Sequence, residues 1–212
     1  MYIKSSHLPR DITHVHELIR RNMFGTIVGV TPDGMIASHL PFMFDDARGA
    51  HGTLISHMAR ANPHASLLNT VQEMLVIFVG ANGYISPSWF PERASAPAWD
   101  YAAVHCYGKA VIQSEQESVR NINDLVMLME EERPQGWSAV ELGEGGMERL
   151  MPRIICFEIE VTRLEAKFKV GQGEHPANTQ AAILRLESEG QAELAAYMRE
   201  YNPVQDDRVT PS

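Results

Sequence analysis

The chain is short of the features by which many functions announce themselves. It has only two cysteines, Cys106 and Cys156, in 212 residues. Two are too few for the disulfide framework that staples small secreted domains, and no CxxC or Cys/His spacing suited to structural zinc accompanies them. Both lie in apolar, strand-like runs, so they read as buried free thiols in a reducing compartment. No apolar run approaches the roughly 20 residues that a membrane-spanning helix needs. Met1 to Arg10 has neither an apolar stretch nor a small-residue cleavage site, so no signal peptide is expected and the expected location is cytoplasmic. Basic charge is scarce as well: 18 Lys and Arg against 27 Asp and Glu leave a net charge of −9. With no basic stripe and no helix-turn-helix pattern, direct nucleic-acid binding is not expected. The familiar catalytic signatures are missing too. There is no GxGxxG after a strand, no P-loop, no GxSxG and no HExxH. No internal repeat, low-complexity tract or domain linker is visible.

What is present suffices for one substantial core: 44% of the residues are hydrophobic and 21% charged, an ordinary globular balance. Asp11 to Asn22 reads as a helix, with Asp11 as cap and Ile12, Val15, Leu18 and Ile19 at helical spacing. Phe24 to Val30 and Met35 to Phe44 form a hairpin about the turn Thr31-Pro32-Asp33-Gly34. A third strand leads to His57. Asn62-Pro63 opens a helix expected to reach about Thr70. Strands are expected over Met74 to Gly80, Tyr84 to Ser86, Tyr101 to Gln113 and Ile154 to Val170. Ser114 and Glu117 make a capping box for a helix to about Arg133, and Met147 to Met151 a helical turn. Pro176 to Tyr201 reads as helical and the last ten residues as loose. Strands separated by turns, with helices at the margins, predict a mainly β fold with α: a β-barrel with peripheral helices. The expected division is a barrel domain over 1–175 with a helical tail, 176–212, packed on it.

Four polar clusters sit oddly on such a barrel. His57, Arg60, Asn62 and His64 join a strand end to a helix start, where free N–H groups and a planar guanidinium suit a phosphate or propionate. Alternatively, Asn62 merely caps and Arg60 pairs at the surface. Ser86, Ser88 and Trp89 make a loop with hydroxyls and a large ring, suited to wall a flat ligand or simply to pack. In Trp99-Asp100-Tyr101 to His105, alternation puts Tyr101, Ala103, His105 and Tyr107 on one strand face, where polar groups are costly to bury without partners. Lys167 and Lys169, followed by Gln172 between glycines, suit anionic groups or else form a solvated edge.

Taken together, these segments resemble the PaiB-like family of FMN-binding negative transcriptional regulators. The likeness covers most of the chain. It begins at Met1-Tyr2-Ile3 and runs through SHLP (Ser38 to Pro41) and HMARANP (His57 to Pro63, against HLARANP). It continues in YISPSWF (Tyr84 to Phe90), PAWDYAAVHCYG (Pro97 to Gly108) and FEIEVTRLEAKFKV (Phe157 to Val170). The resemblance implies a split β-barrel that forms a homodimer, with a cofactor near the subunit interface.

Three motifs depart from the family pattern. NPQW becomes Asn62-Pro63-His64-Ala65, KLSQN becomes Lys169-Val170-Gly171-Gln172-Gly173, and TWNY becomes Ala98-Trp99-Asp100-Tyr101. These swaps remove polar partners that a flavin ring would use and add a histidine beside a vacated ring position. The family has a branch, the piperazate synthases, that uses haem b to join the two nitrogens of an N-hydroxylated ornithine. That likeness implies a haem-dependent N–N bond-forming enzyme acting on a small amino-acid-like substrate. His64 would be the axial iron ligand, and Arg60, Lys167 and Lys169 would hold propionates or the substrate carboxylate. His105 or Asp100 would move protons, and the remaining polar residues would line the cofactor. An FMN-binding regulator and an FMN-dependent oxidoreductase are the rival readings, and fold analogy alone does not choose among them.

Overall fold

The turn at Thr31–Gly34 sets the first register of the barrel. In a computed structural model that describes residues 1–70 and 72–203, strands β1 (Phe24–Thr31) and β2 (Gly34–Asp45) run antiparallel from Thr31 opposite Gly34 to Phe24 opposite Pro41. The Thr31 hydroxyl donates to the Gly34 carbonyl at 2.9 Å and clamps the turn. β3 (Thr53–Ala59) pairs antiparallel with β2, Phe42 opposite Ser56. The chain then forms β4 (Met74–Ile85), β5 (Ala98–Ile112) and β6 (Ile154–Lys169), and β6 pairs antiparallel with β3, Ser56 opposite Phe157. The sheet closes in the order β1-β2-β3-β6-β5-β4, the barrel expected from the strand and turn pattern. Five helices accompany it among the described residues: α1 (Ile12–Arg21), α2 (Glu115–Glu130), α3 (Gly146–Leu150), α4 (Pro176–Ser188) and α5 (Ala192–Tyr201). None is long and apolar enough to cross a membrane.

Four elements differ from expectation. The helix expected to run to about Thr70 is a five-residue 3-10 turn, Pro63–Leu67. The chain leaves it at Asn69, where φ is +60° and the side-chain oxygen accepts the Ile112 N–H at 2.8 Å. The two strands expected over 74–80 and 84–86 are one continuous β4. Gly83, inside the continuous strand, marks a close approach: a Cβ there would meet Gln191 Oε1 at 2.5 Å and Leu194 Cδ2 at 3.0 Å. The C-terminal helix is two helices, parted at Gly190 with φ +78°. α2 stops at Glu130, three residues early, although its capping box of Ser114 and Glu117 forms as expected. The end expected to be loose lies, from residue 204 on, outside the described residues.

The residues group into two compact units. The first takes residues 1–18, 79–104 and 166 onward. Its core stacks Phe168 on Tyr201 with ring centres 5.4 Å apart and sets Tyr197 edge-on, also at 5.4 Å. His14 bridges Tyr201 Oη at 2.8 Å and Glu200 at 2.7 Å. The second takes residues 19–78 and 105–165. Phe42 sits there edge-on to Phe78 and Phe157, at 5.8 and 6.3 Å, among the buried Ile27, Leu54 and Ile159. Both cysteines are free and buried, as expected, and burial pushes the Cys106 thiol up to about 12.

Candidate cofactor and ligand site

The first unit gathers most of the predicted site residues. Alternation along β5 turns Asp100 into the interior, 3% exposed, and leaves Tyr101 half-buried on the opposite face. Lys169, at the end of β6, reaches Asp100 Oδ1 at 3.2 Å and the Trp99 carbonyl at 2.7 Å. Burial raises the Asp100 carboxyl above its ordinary range, and Lys169 opposes the rise. Lys167, two residues earlier, is only 8% exposed. Its ammonium lies 5.0 Å from the centre of the Tyr101 ring and 5.7 Å from that of Tyr2. Among the described residues it has neither a carboxylate nor a hydrogen-bond acceptor. An ammonium set against aromatic rings, with no counter-charge among the described residues, is suited to take an anion.

His7 stands in a single helical turn, Ser5–His7, buried, and its Nδ1 has no hydrogen-bond partner. Burial lowers its pKa first, followed by the positive charge of Lys167, Lys4 and Lys169. Trp99 is 57% exposed, and its indole N–H donates to Asn82 Oδ1 at 3.2 Å. Ser86 and Ser88 spend their hydroxyls on each other at 2.7 Å, capping the turn Pro87–Trp89, and Trp89 is half-buried beside α4. Gln172 folds back on its own loop: its amide donates to the Phe168 carbonyl at 2.6 Å and accepts the Val170 N–H at 2.8 Å. The Gln172 side chain thus shapes the loop after β6.

The second unit holds the other predicted residues. Arg60 donates from Nε to the Pro152 carbonyl at 3.0 Å and from Nη2 to the Ile154 carbonyl at 2.8 Å, so most of its fork pins a loop. Asn62 caps the 3-10 turn by accepting the His64 N–H at 3.0 Å and donates its amide to Ser38 Oγ at 3.1 Å. His57 is half-buried beside a largely apolar hollow, and burial lowers its pKa. His105 shares its face of β5 with Tyr107, ring centres 6.3 Å apart. Its Nδ1 is buried without a hydrogen bond, and burial lowers its pKa as well.

His64 decides how haem would fit. The residue is 0% exposed and its Nδ1 sits 3.2 Å from Ser38 Oγ. Its Nε2 has no partner, yet it is sealed: a Cβ on Gly29 would lie 2.9 Å from it. An axial ligand needs a nitrogen open to iron and to a wide macrocycle. Neither nitrogen of His64 is open, so these residues do not fit haem at this position. Nor do the described residues bring three or more His, Cys, Asp or Glu side chains together to hold a metal ion.

Sequence reasoning missed Tyr2, His7 and Asn178. Tyr2 and His7 belong to the N-terminal stretch whose MYI opens the family likeness, and that was the signal available. Asn178 lies in the first turn of α4 with nothing in its neighbourhood to single it out.

A ring-closed sheet with peripheral helices defines the split-barrel class of cofactor-binding proteins. The chain belongs to the family described as "Putative FMN-binding domain", whose profile matches residues 1–163. It is 29% identical over 191 residues to the protease synthase and sporulation protein PAI 2 of Bacillus subtilis, covering 89% of this chain and 90% of that one. Over 112 residues it is 42% identical to protein YKL070W of Saccharomyces cerevisiae, covering 50% of this chain and 66% of the yeast protein. Among solved structures, the FAD and heme binding protein of Mycobacterium smegmatis superposes with a TM-score of 0.56 at 12% identity, covering 78% and 74% of the two chains. Rv2991 of Mycobacterium tuberculosis superposes with a TM-score of 0.56 at 14% identity, covering 80% and 91%. At such identities the superpositions speak for the fold alone.

Proposed function

We propose that this protein binds FMN and uses Lys167 to hold the phosphate. Family membership supports the choice of cofactor, and the lone ammonium of Lys167 is the observation that carries the choice of residue. A phosphate dianion supplies the charge that Lys167 lacks, through a charge-assisted hydrogen bond. Tyr101 and Tyr2, already against the ammonium, give that end of the site an aromatic wall. The half-exposed rings of Trp99 and Tyr84, 6.4 Å apart, offer further flat surface on the same unit. Bound flavin supplies one- and two-electron transfer, which makes a redox role the natural one. A net charge of −9 speaks against a grip on DNA, so any regulatory role runs through other partners. The haem-dependent N–N cyclase reading loses its axial ligand to the sealed position of His64. We propose in addition that two copies pair, covering the exposed apolar side chains Phe24, Val30 and Met35 of the β1–β2 hairpin. A monomer across the micromolar range in sedimentation would remove that part.

The test is a titration with FMN and with riboflavin, followed by quenching of tryptophan fluorescence. FMN binds more tightly than riboflavin, and Lys167→Met weakens FMN by about 10- to 100-fold, the worth of one hydrogen bond to a charged group. Riboflavin affinity stays unchanged. Equal affinity for the two ligands, or an unaltered FMN affinity in the variant, refutes the role of Lys167.

A further inference from the structure

A small cavity in the first unit is lined in part by polar side chains, two of which make no hydrogen bond among the described residues. Its volume is about 60 Å³, and its polar lining includes His7, Asp100, Lys169, Glu174 and Asn178, with Gln172 and Thr179 bonded to neighbouring backbone. Asn178 is 5% exposed, and its side-chain amide has no hydrogen-bond partner among the described residues. His7 is 8% exposed, and its Nδ1 is buried without a partner. Buried polar groups are almost always paired, so the unpaired His7 Nδ1, beside an Asn178 amide that bonds no described residue, points to a bound group in this cavity. Ile85, Phe90 and Met198 complete the wall with apolar surface.

The charges around the cavity define what fits. A carboxylate entering it would meet Asp100, already buried, and Glu174. An ammonium would meet Lys169, with Lys167 and Lys4 acting on the same imidazole from nearby. A neutral group avoids both penalties. Asn178 presents a donor and an acceptor together, and the His7 ring offers one further site of either kind according to its tautomer. The complement is a neutral group that accepts and donates side by side. The volume is worth about four water molecules, room for a head group of a few heavy atoms but not for a ring system.

We propose that this cavity is a binding pocket for a small uncharged carboxamide head group, held by Asn178 and His7. The pairing is amide to amide, with the imidazole as second partner and the Phe90 and Met198 side chains against the carbon skeleton. The Asp100–Lys169 ion pair closes one wall and excludes charged relatives of the same size. The proposal does not depend on flavin: the cavity and the two unpaired groups belong to the chain alone.

The experiment compares acetamide, acetate and ethylammonium, three probes of nearly equal size and different charge, on the full chain at neutral pH. The signals followed are the Asn178 side-chain NH₂ and the His7 ring protons in NMR spectra. Acetamide moves both sets of signals in a saturable way, in the millimolar range, and acetate and ethylammonium leave them in place. Asn178→Asp, similar in size and charged, raises the acetamide dissociation constant at least tenfold, while the His14 and Tyr201 signals report an unaltered core. The proposal is overturned if acetate or ethylammonium binds as well as acetamide. It is equally overturned if no probe moves the Asn178 signals, since water then fills the cavity.

Discussion

Lys169 is the counter-charge of Asp100: its ammonium nitrogen lies 3.2 Å from Asp100 Oδ1, and that carboxylate is otherwise shut off from solvent. The pair is unequal, because the Lys169 side chain remains 30% exposed while that of Asp100 is 4% exposed. Removing the lysine therefore harms the fold more than removing the carboxylate. Lys169→Met should cost about 3 kcal/mol at neutral pH, the lower end for stranding one partner of a buried pair. Burial already raises the Asp100 pKa, with Lys169 opposing the rise, so the folded state holds the ionised form less easily than the unfolded chain does. Without Lys169 that difference grows. The deficit is then largest at neutral pH and shrinks as pH falls toward the ordinary carboxylate range, where Asp100 takes up its proton. Urea denaturation of the variant at several pH values reads this directly. A deficit that does not vary with pH would mean Asp100 is not the group left stranded. Adding Asp100→Asn to the variant should recover most of the loss.

Gly29 is fixed by what lies over it. A Cβ there would stand 2.5 Å from Leu67 Cδ1 and 2.9 Å from His64 Nε2. Gly29→Ala should destabilise the protein by about 1–3 kcal/mol, the usual cost of overpacking, measured as a lower melting temperature. The same closure governs iron. Hemin added to the protein should give the same visible spectrum whether residue 64 is His or Ala. A Soret band that appears only with His64 would show that the side chain swings out of its pocket and would restore the haem reading.

The barrel was legible because its signals are local and repeated. The Thr31–Gly34 turn fixes the β1–β2 register, alternation along β5 sets Tyr101, His105 and Tyr107 apart from the buried Ala102, Val104 and Cys106, and Ser114 with Glu117 spells a helix start. The break expected between residues 80 and 84 does not form, and the neighbours that Gly83 meets there, Gln191 and Leu194, lie far along the chain. The site was harder. Asp100, Lys169 and Lys167 were found as types, but their pairing was not, since a spacing of about seventy residues carries no local signature. His64 looked like a ligand because it is the histidine gained where the family pattern reads NPQW, and its burial against β1 is a tertiary fact. Arg60 and Gln172 bear the residue types of an anion site and spend them on backbone carbonyls and, for Gln172, an N–H. Asn178 gave no signal at all, being a helix residue whose importance lies only in what it fails to bond.

Acid should loosen this protein through its histidines. Burial lowers the pKa of His57 and His105, and of His7 with help from the three nearby lysines. In the unfolded chain each returns to about 6.5. Below that value the unfolded state therefore binds more protons than the folded one, and stability rises with pH through this range. The contribution is complete above pH 6.5 and drains away as pH falls through the lowered folded values. Urea midpoints should accordingly drop between pH 7.5 and pH 5.5, well above the region where carboxylates titrate. His57 offers the cleanest check, because its neighbours Val126, Trp137 and Leu150 make an apolar hollow that accepts a phenylalanine. His57→Phe should gain stability relative to the parent protein at pH 5.5 by more than at pH 7.5, since it has no imidazole to charge on unfolding. Equal differences at the two pH values would mean that His57 takes up its proton in the folded state as readily as in the unfolded one, and that the acid sensitivity arises elsewhere.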